Sequence, residues 1–122
     1  MREYEIERNP VERVSIDGRE YDVELGNLTF ALDAAEWAES LRSLAGAESM
    51  EEGDLASRFE ALCSAGRSMV ASLVGDEAAE ELVGGRNRLN IYRLMGVVGA
   101  LADVVSGEAS MRAMAEAASR RG

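Results

Sequence analysis

Val14-Ser15-Ile16-Asp17-Gly18-Arg19-Glu20-Tyr21-Asp22-Val23-Glu24-Leu25 is the stretch on which the fold turns. Val14 and Ile16 alternate with polar neighbours, Asp17-Gly18 follows, and Tyr21, Val23 and Leu25 alternate again beyond it. A two-residue type I′ turn needs positive φ at both central positions, which Asp tolerates and Gly adopts freely, so the pattern predicts a β-hairpin. Upstream, Tyr4 and Ile6 alternate among Glu3, Glu5 and Glu7 and suggest a third strand before Asn9-Pro10 interrupts it. Pro10 has no N–H to donate and belongs at an edge or in a connection. Downstream, residues 28–32 read as a short extended or turning segment after Gly26-Asn27.

From Asp33 the apolar period lengthens to that of a helix. Asp33 with Glu36 has the spacing of a capping box, which starts the first helix at Ala34 with Ala34, Trp37, Leu41 and Leu44 as its buried stripe. Gly46 is a natural stop in the left-handed conformation, and residues 47–53 read as a linker. Asp54 then caps a long helix carrying Leu55, Phe59, Leu62, Met69, Val70 and Leu73 before Gly75. Asp76 opens a short third helix with Leu82 and Val83, closed by Gly84-Gly85. Asn87 caps a fourth over residues 88–106, and after Gly107 an Ala-rich fifth carries Met111, Met114, Ala115 and Ala118 at helical spacing. The expected fold is α+β: one domain over residues 1–122, with a β-hairpin or small antiparallel sheet over 1–32 and a bundle of four or five helices over 33–122.

Composition narrows the chemistry. Among 122 residues there is no His, and all 13 cationic side chains are Arg. Nucleophile pairs that rely on His, imidazole metal ligands, Schiff bases and the phosphate-loop lysine are therefore excluded. Cys63 is the single cysteine and reads as a small buried hydrophobe. Glu48, Glu51, Glu52 and Asp54 lack the spacing of a cation loop. No catalytic residue, metal site or cofactor is expected. A net charge of −10 argues against general nucleic-acid or membrane-surface binding, and the start of the chain lacks a signal-peptide core, so a cytoplasmic protein is expected. By segment the charge runs −4 over residues 1–32, −9 over 33–85 and +3 over 86–122, which would favour self-association or pairing within one chain.

Gly84-Gly85-Arg86-Asn87-Arg88 is open to two readings, a helix stop with a turn and cap, or an anion site. The fourth helix is more informative. Its apolar residues outnumber what one stripe of a small domain hides, and Tyr92, Leu94, Met95, Val98, Leu101 and Val105 are the candidate partner-binding surface. Against that stands the alternative of a central core helix. Gly96 and Gly99 each cost about 1 kcal/mol against Ala inside a helix, a cost that close approach of another helix offsets; that helix is either the long one of the same chain or a partner's.

Ile16-Asp17-Gly18-Arg19-Glu20-Tyr21, Gly26-Asn27-Leu28-Thr29-Phe30 and Leu82-Val83-Gly84-Gly85-Arg86-Asn87, spread over a helical body, resemble the small tail assembly chaperones of long-tailed bacteriophages and prophages. The resemblance is one of pattern and covers most of the chain. It implies an adaptor in the bacterial cytoplasm that binds the hydrophobic helices of a tape measure protein, self-associates and assists tail morphogenesis. The Ala-rich, basic last helix departs from that pattern. Two other classes remain: a structural head-tail or tail completion protein, and an acidic inhibitor that mimics nucleic acid.

Overall fold

A computed structural model describes residues 1–46 and 51–121. Strands β1 (Val11–Ile16) and β2 (Arg19–Glu24) form an antiparallel hairpin, followed by helices α1 (Thr29–Ala45), α2 (Glu52–Val74), α3 (Asp76–Val83), α4 (Ile91–Ser106) and α5 (Glu108–Arg121). The fold is α+β, as the periodicities predict. Val14 faces Tyr21 and Ile16 faces Arg19 across the ladder, and the turn holds Asp17 at φ 52° and Gly18 at φ 82°, the signs a type I′ turn demands. Pro10 immediately precedes β1, and its carbonyl accepts the Leu25 N–H at 2.8 Å.

The first ten residues form no strand, and Tyr4 and Ile6 are 73% and 81% exposed. Two apolar side chains bring at most about 3 kcal/mol each. Ordering a strand's worth of backbone costs roughly 1–2 kcal/mol per residue, so the arm has too little to bury.

Helix α1 begins at Thr29, five residues earlier than the capping-box pattern predicts. The Asn27 Oδ1 accepts the Thr29 N–H at 3.0 Å, while Asp33 and Glu36 are exposed within the helix. Burial decides the matter. The extra turn places Phe30 on the stripe Phe30, Ala34, Trp37, Leu41 and Leu44, all buried, and a fully buried aromatic outweighs a cap worth about 1 kcal/mol. Gly46 ends the helix, but at φ −89° and not in the left-handed region.

Helix α2 starts at Glu52, so residues 52 and 53 of the expected linker are helical; residues 47–50 lie outside the described residues. Asp54 is in the first turn and is not the cap. Glu52 and Asp54 there complement the exposed amides of the helix start. Along α2, Cys63, Gly66 and Val70 are buried, and Phe59, Leu62, Met69 and Leu73 pack against the core from half-buried positions. Gly75 at φ 94° turns the chain into α3, where Leu82 and Val83 are buried as expected.

Helix α4 begins three residues later than expected. Residues Gly85–Asn87 form a 3-10 turn instead, and Asn90 is the cap, its Oδ1 accepting the Arg93 N–H at 3.1 Å. Asn87 acts one step removed, accepting from the Asn90 side-chain amide at 3.3 Å. On α5 the inward side chains are Ser110, Ala113, Met114 and Ala117, a register shifted from the expected stripe; Met111, Ala115 and Ala118 are exposed.

One cluster of buried side chains joins β2 to α1, α2, α3 and α4. Its tightest junction is where α1, α2 and α4 meet. The Trp37 indole Nε1 donates to the Leu62 carbonyl at 2.8 Å, and Gly66 faces both Trp37 and Leu94. Cys63 is 2% exposed, and burial pushes its thiol pKa up, against a smaller opposing effect of Arg67. Alkylation of the native protein by a maleimide is therefore expected to run at the rate of unfolding, at least about 100-fold slower than in urea. Mass spectrometry of timed aliquots checks this.

Candidate partner-binding groove

The six candidate residues divide by burial. Leu94, Val98, Leu101 and Val105 are at most 3% exposed, enclosed by their own chain, so they belong to the core, which corrects their placement on a partner surface. Their periodicity is that of the central stripe of α4, against which α1, α2, α3 and β2 all pack. Tyr92 and Met95 remain outside, 81% and 42% exposed. The apolar surplus of α4 is real but narrower than the residue count suggests.

That burial accounts for part of the hydropathy of the segment, about a third of whose apolar stretch (35%) is buried. The helical run from Ile91 to Arg120 has the length and apolarity of a membrane span, but α4 supplies the core and Gly107 separates it from α5.

Met95 stands at the edge of a groove of about 650 Å³ between α1 and α4. Ala31, Ala34, Ala35, Ala38 and Ala45 form one wall, Gly99 and Ala102 lie on the other, and Trp37, Leu41 and Val98 also contribute. Small side chains at helical spacing on α1 leave the space open. Leu28 and Leu32, four residues apart on the same helical flank, are 38% and 68% exposed.

Gly96 and Gly99 have nothing within 4 Å of the place a Cβ would occupy. Among the described residues no helix of the chain therefore offsets their cost. The close approach within the chain is made instead by Gly66 on α2, where a Cβ would lie 2.8 Å from the Leu94 Cδ2. Sequence reasoning missed Gly66 and also the alanine wall of α1. A signal for the wall existed: Ala31, Ala35, Ala38 and Ala45 recur at helical spacing beside the buried stripe.

Two charged residues border the groove. Arg42 is held by Glu39 at 2.7 Å on its own helix. Asp103, on α4, is exposed and makes no ion pair with any described residue.

The glycine-rich segment after α3 uses its amides internally. The Glu80 Oε1 accepts the Gly85 N–H at 3.0 Å, and the Asn87 and Arg88 N–H groups bond to the Gly84 and Gly85 carbonyls. That pattern fits the helix stop with a turn. Of the acidic run, Glu51, Glu52 and Asp54 are exposed and Glu48 lies outside the described residues. Among the described residues no three Asp, Glu or Cys side chains converge as metal ligands would. Comparison with known proteins finds no matching family model, curated protein or solved structure.

Proposed function

We propose that this chain is a cytoplasmic adaptor that shelters an apolar helix of another polypeptide in the groove between α1 and α4. The groove carries the reading: its walls are mainly alanine, with Met95 and larger apolar side chains between them, and the α4 wall leaves backbone open to close approach at Gly99. An incoming helix would bury leucine-sized side chains among the alanines, with roughly 1.5–3 kcal/mol for each side chain fully covered. Met95 is unbranched and adapts to different shapes. With the resemblance to tail assembly chaperones, the client is a tape measure protein whose hydrophobic helices need cover before the tail tube closes around them. Self-association of the adaptor belongs to the same proposal.

Coexpression with a long helical chain, which this reading expects to be encoded beside it, tests this. The soluble fraction of that chain is expected to rise at least about five-fold, and a Gly99→Gln variant is expected to lose the gain. Gln is a stronger helix former than Gly by roughly 0.5–1 kcal/mol, so the variant should melt no lower than the parent while its polar side chain blocks the groove. An unchanged soluble fraction with the parent adaptor counts against the proposal.

A further inference from the structure

We infer that the helix accepted by the α1–α4 groove is amphipathic and cationic, with Arg or Lys flanking its apolar face; this rests on the helix-sheltering reading above. The groove itself contributes only two charges, and they are not equivalent. Arg42 is already paired with Glu39 on the preceding turn, whereas Asp103 on the α4 wall forms no ion pair with any described residue. The unpaired charge at the groove is therefore negative.

The surroundings reinforce it. The negative side is the α1 side: residues 33–85, which hold most of α1, sum to −9, while residues 86–122, which hold α4, sum to +3, and the chain's net −10 draws cationic segments toward it as a whole. Gly96 and Gly99 add the geometric condition. With open space beside both, the backbone of the incoming helix can come close enough for a long Arg or Lys side chain to lie along α4 toward Asp103. An apolar helix with acidic flanks would meet Asp103 as a like charge and leave it unpaired.

Two synthetic helices of about 20 residues decide the matter, sharing one Leu/Ala face and differing only in Lys or Glu flanks. Titrated against the full chain by fluorescence anisotropy, the Lys-flanked peptide is expected to bind about 10-fold tighter in low salt. That preference should shrink as salt rises from about 0.05 to about 0.5 M, and Asp103→Asn should cut it by about three-fold. Equal affinity, or tighter binding of the Glu-flanked peptide, overturns the charge preference and leaves the groove as a helix site. Failure of both peptides to bind overturns the helix-sheltering reading as well. Lys-peptide binding that Gly99→Gln leaves intact places the contact elsewhere and also overturns the inference. A concentration-dependent dimer that the Lys-flanked peptide cannot displace, seen by sedimentation, assigns the groove to a second copy and does the same.

Discussion

Gly66→Val is expected to lower the thermal midpoint by about 10 °C, the result of roughly 3 kcal/mol lost at the junction of α1, α2 and α4. A Cβ at this position would sit 2.8 Å from the Leu94 Cδ2 and 3.1 Å from the Trp37 Cζ2, closer than side chains approach one another. Helix propensity pulls the other way, since Gly in a helix interior costs about 1 kcal/mol against Ala and Val recovers only part of that. Overpacking wins because neither neighbour can retreat: Leu94 is 1% exposed and Trp37 is tethered to the Leu62 carbonyl. The cycle with Leu94→Ala makes the cause visible. Leu94→Ala alone is expected to cost about 2–5 kcal/mol, but in the Gly66→Val background the new cavity receives the added methyls. The double variant should therefore be more stable than the sum of the singles by at least about 1 kcal/mol in urea titrations followed by circular dichroism. A strictly additive result would mean that Gly66 matters through the backbone and not through this contact.

Trp37→Ala is expected to destabilise by about 3–5 kcal/mol, a large part of the roughly 5–15 kcal/mol that domains of this size command. Most of the effect is lost volume in a core otherwise short of aromatics, since only 5% of the chain is Phe, Trp or Tyr. The hydrogen bond contributes less. Leu62 lies inside α2, where its carbonyl keeps an in-helix partner when the indole is removed. Trp37→Phe separates the two effects and should cost only about 1–2 kcal/mol in the same titration. A loss from Trp37→Ala below about 1 kcal/mol would show that the α1–α2 seam is not the tight contact described.

Local chemistry explains which parts of this fold are readable from residues alone. The Asp17-Gly18 turn is decided by the φ preferences of two adjacent residues, and the α3 stop at Gly84 by a similarly short-range effect. The buried stripe of α1 shows in its spacing. Its start does not, because Asp33 and Glu36 present a plausible cap while the deciding interaction is the burial of Phe30 against distant elements. For α4, Asn87 and Asn90 are both acceptable caps by type, and only the 3-10 turn over Gly85–Asn87 selects between them. The candidate site follows the same division. Apolar excess on α4 is visible in composition, but which of its residues face inward depends on four other elements, so Leu94, Val98, Leu101 and Val105 could not be told from Tyr92 and Met95 by spacing alone. Gly66 gives no local signal: a glycine in a helix interior reads as a weakness until the side chains opposite it are known.

The Arg93 guanidinium pairs with Asp17 at the hairpin turn, and its Nε donates to the Leu82 carbonyl at 2.8 Å. Asp17 and Arg93 are 76 positions apart. On the ribosome, the hairpin can meet α2 and the Glu81 partner of Tyr21 and Arg19 on α3 first, but this Arg93 fastening, and the last of the cover over β2, must wait until α4 clears the exit tunnel. A nascent chain halted before residue 91 should thus be cut by proteases more readily than the finished chain, because its α1, α2 and β2 lack the α4 side of the core.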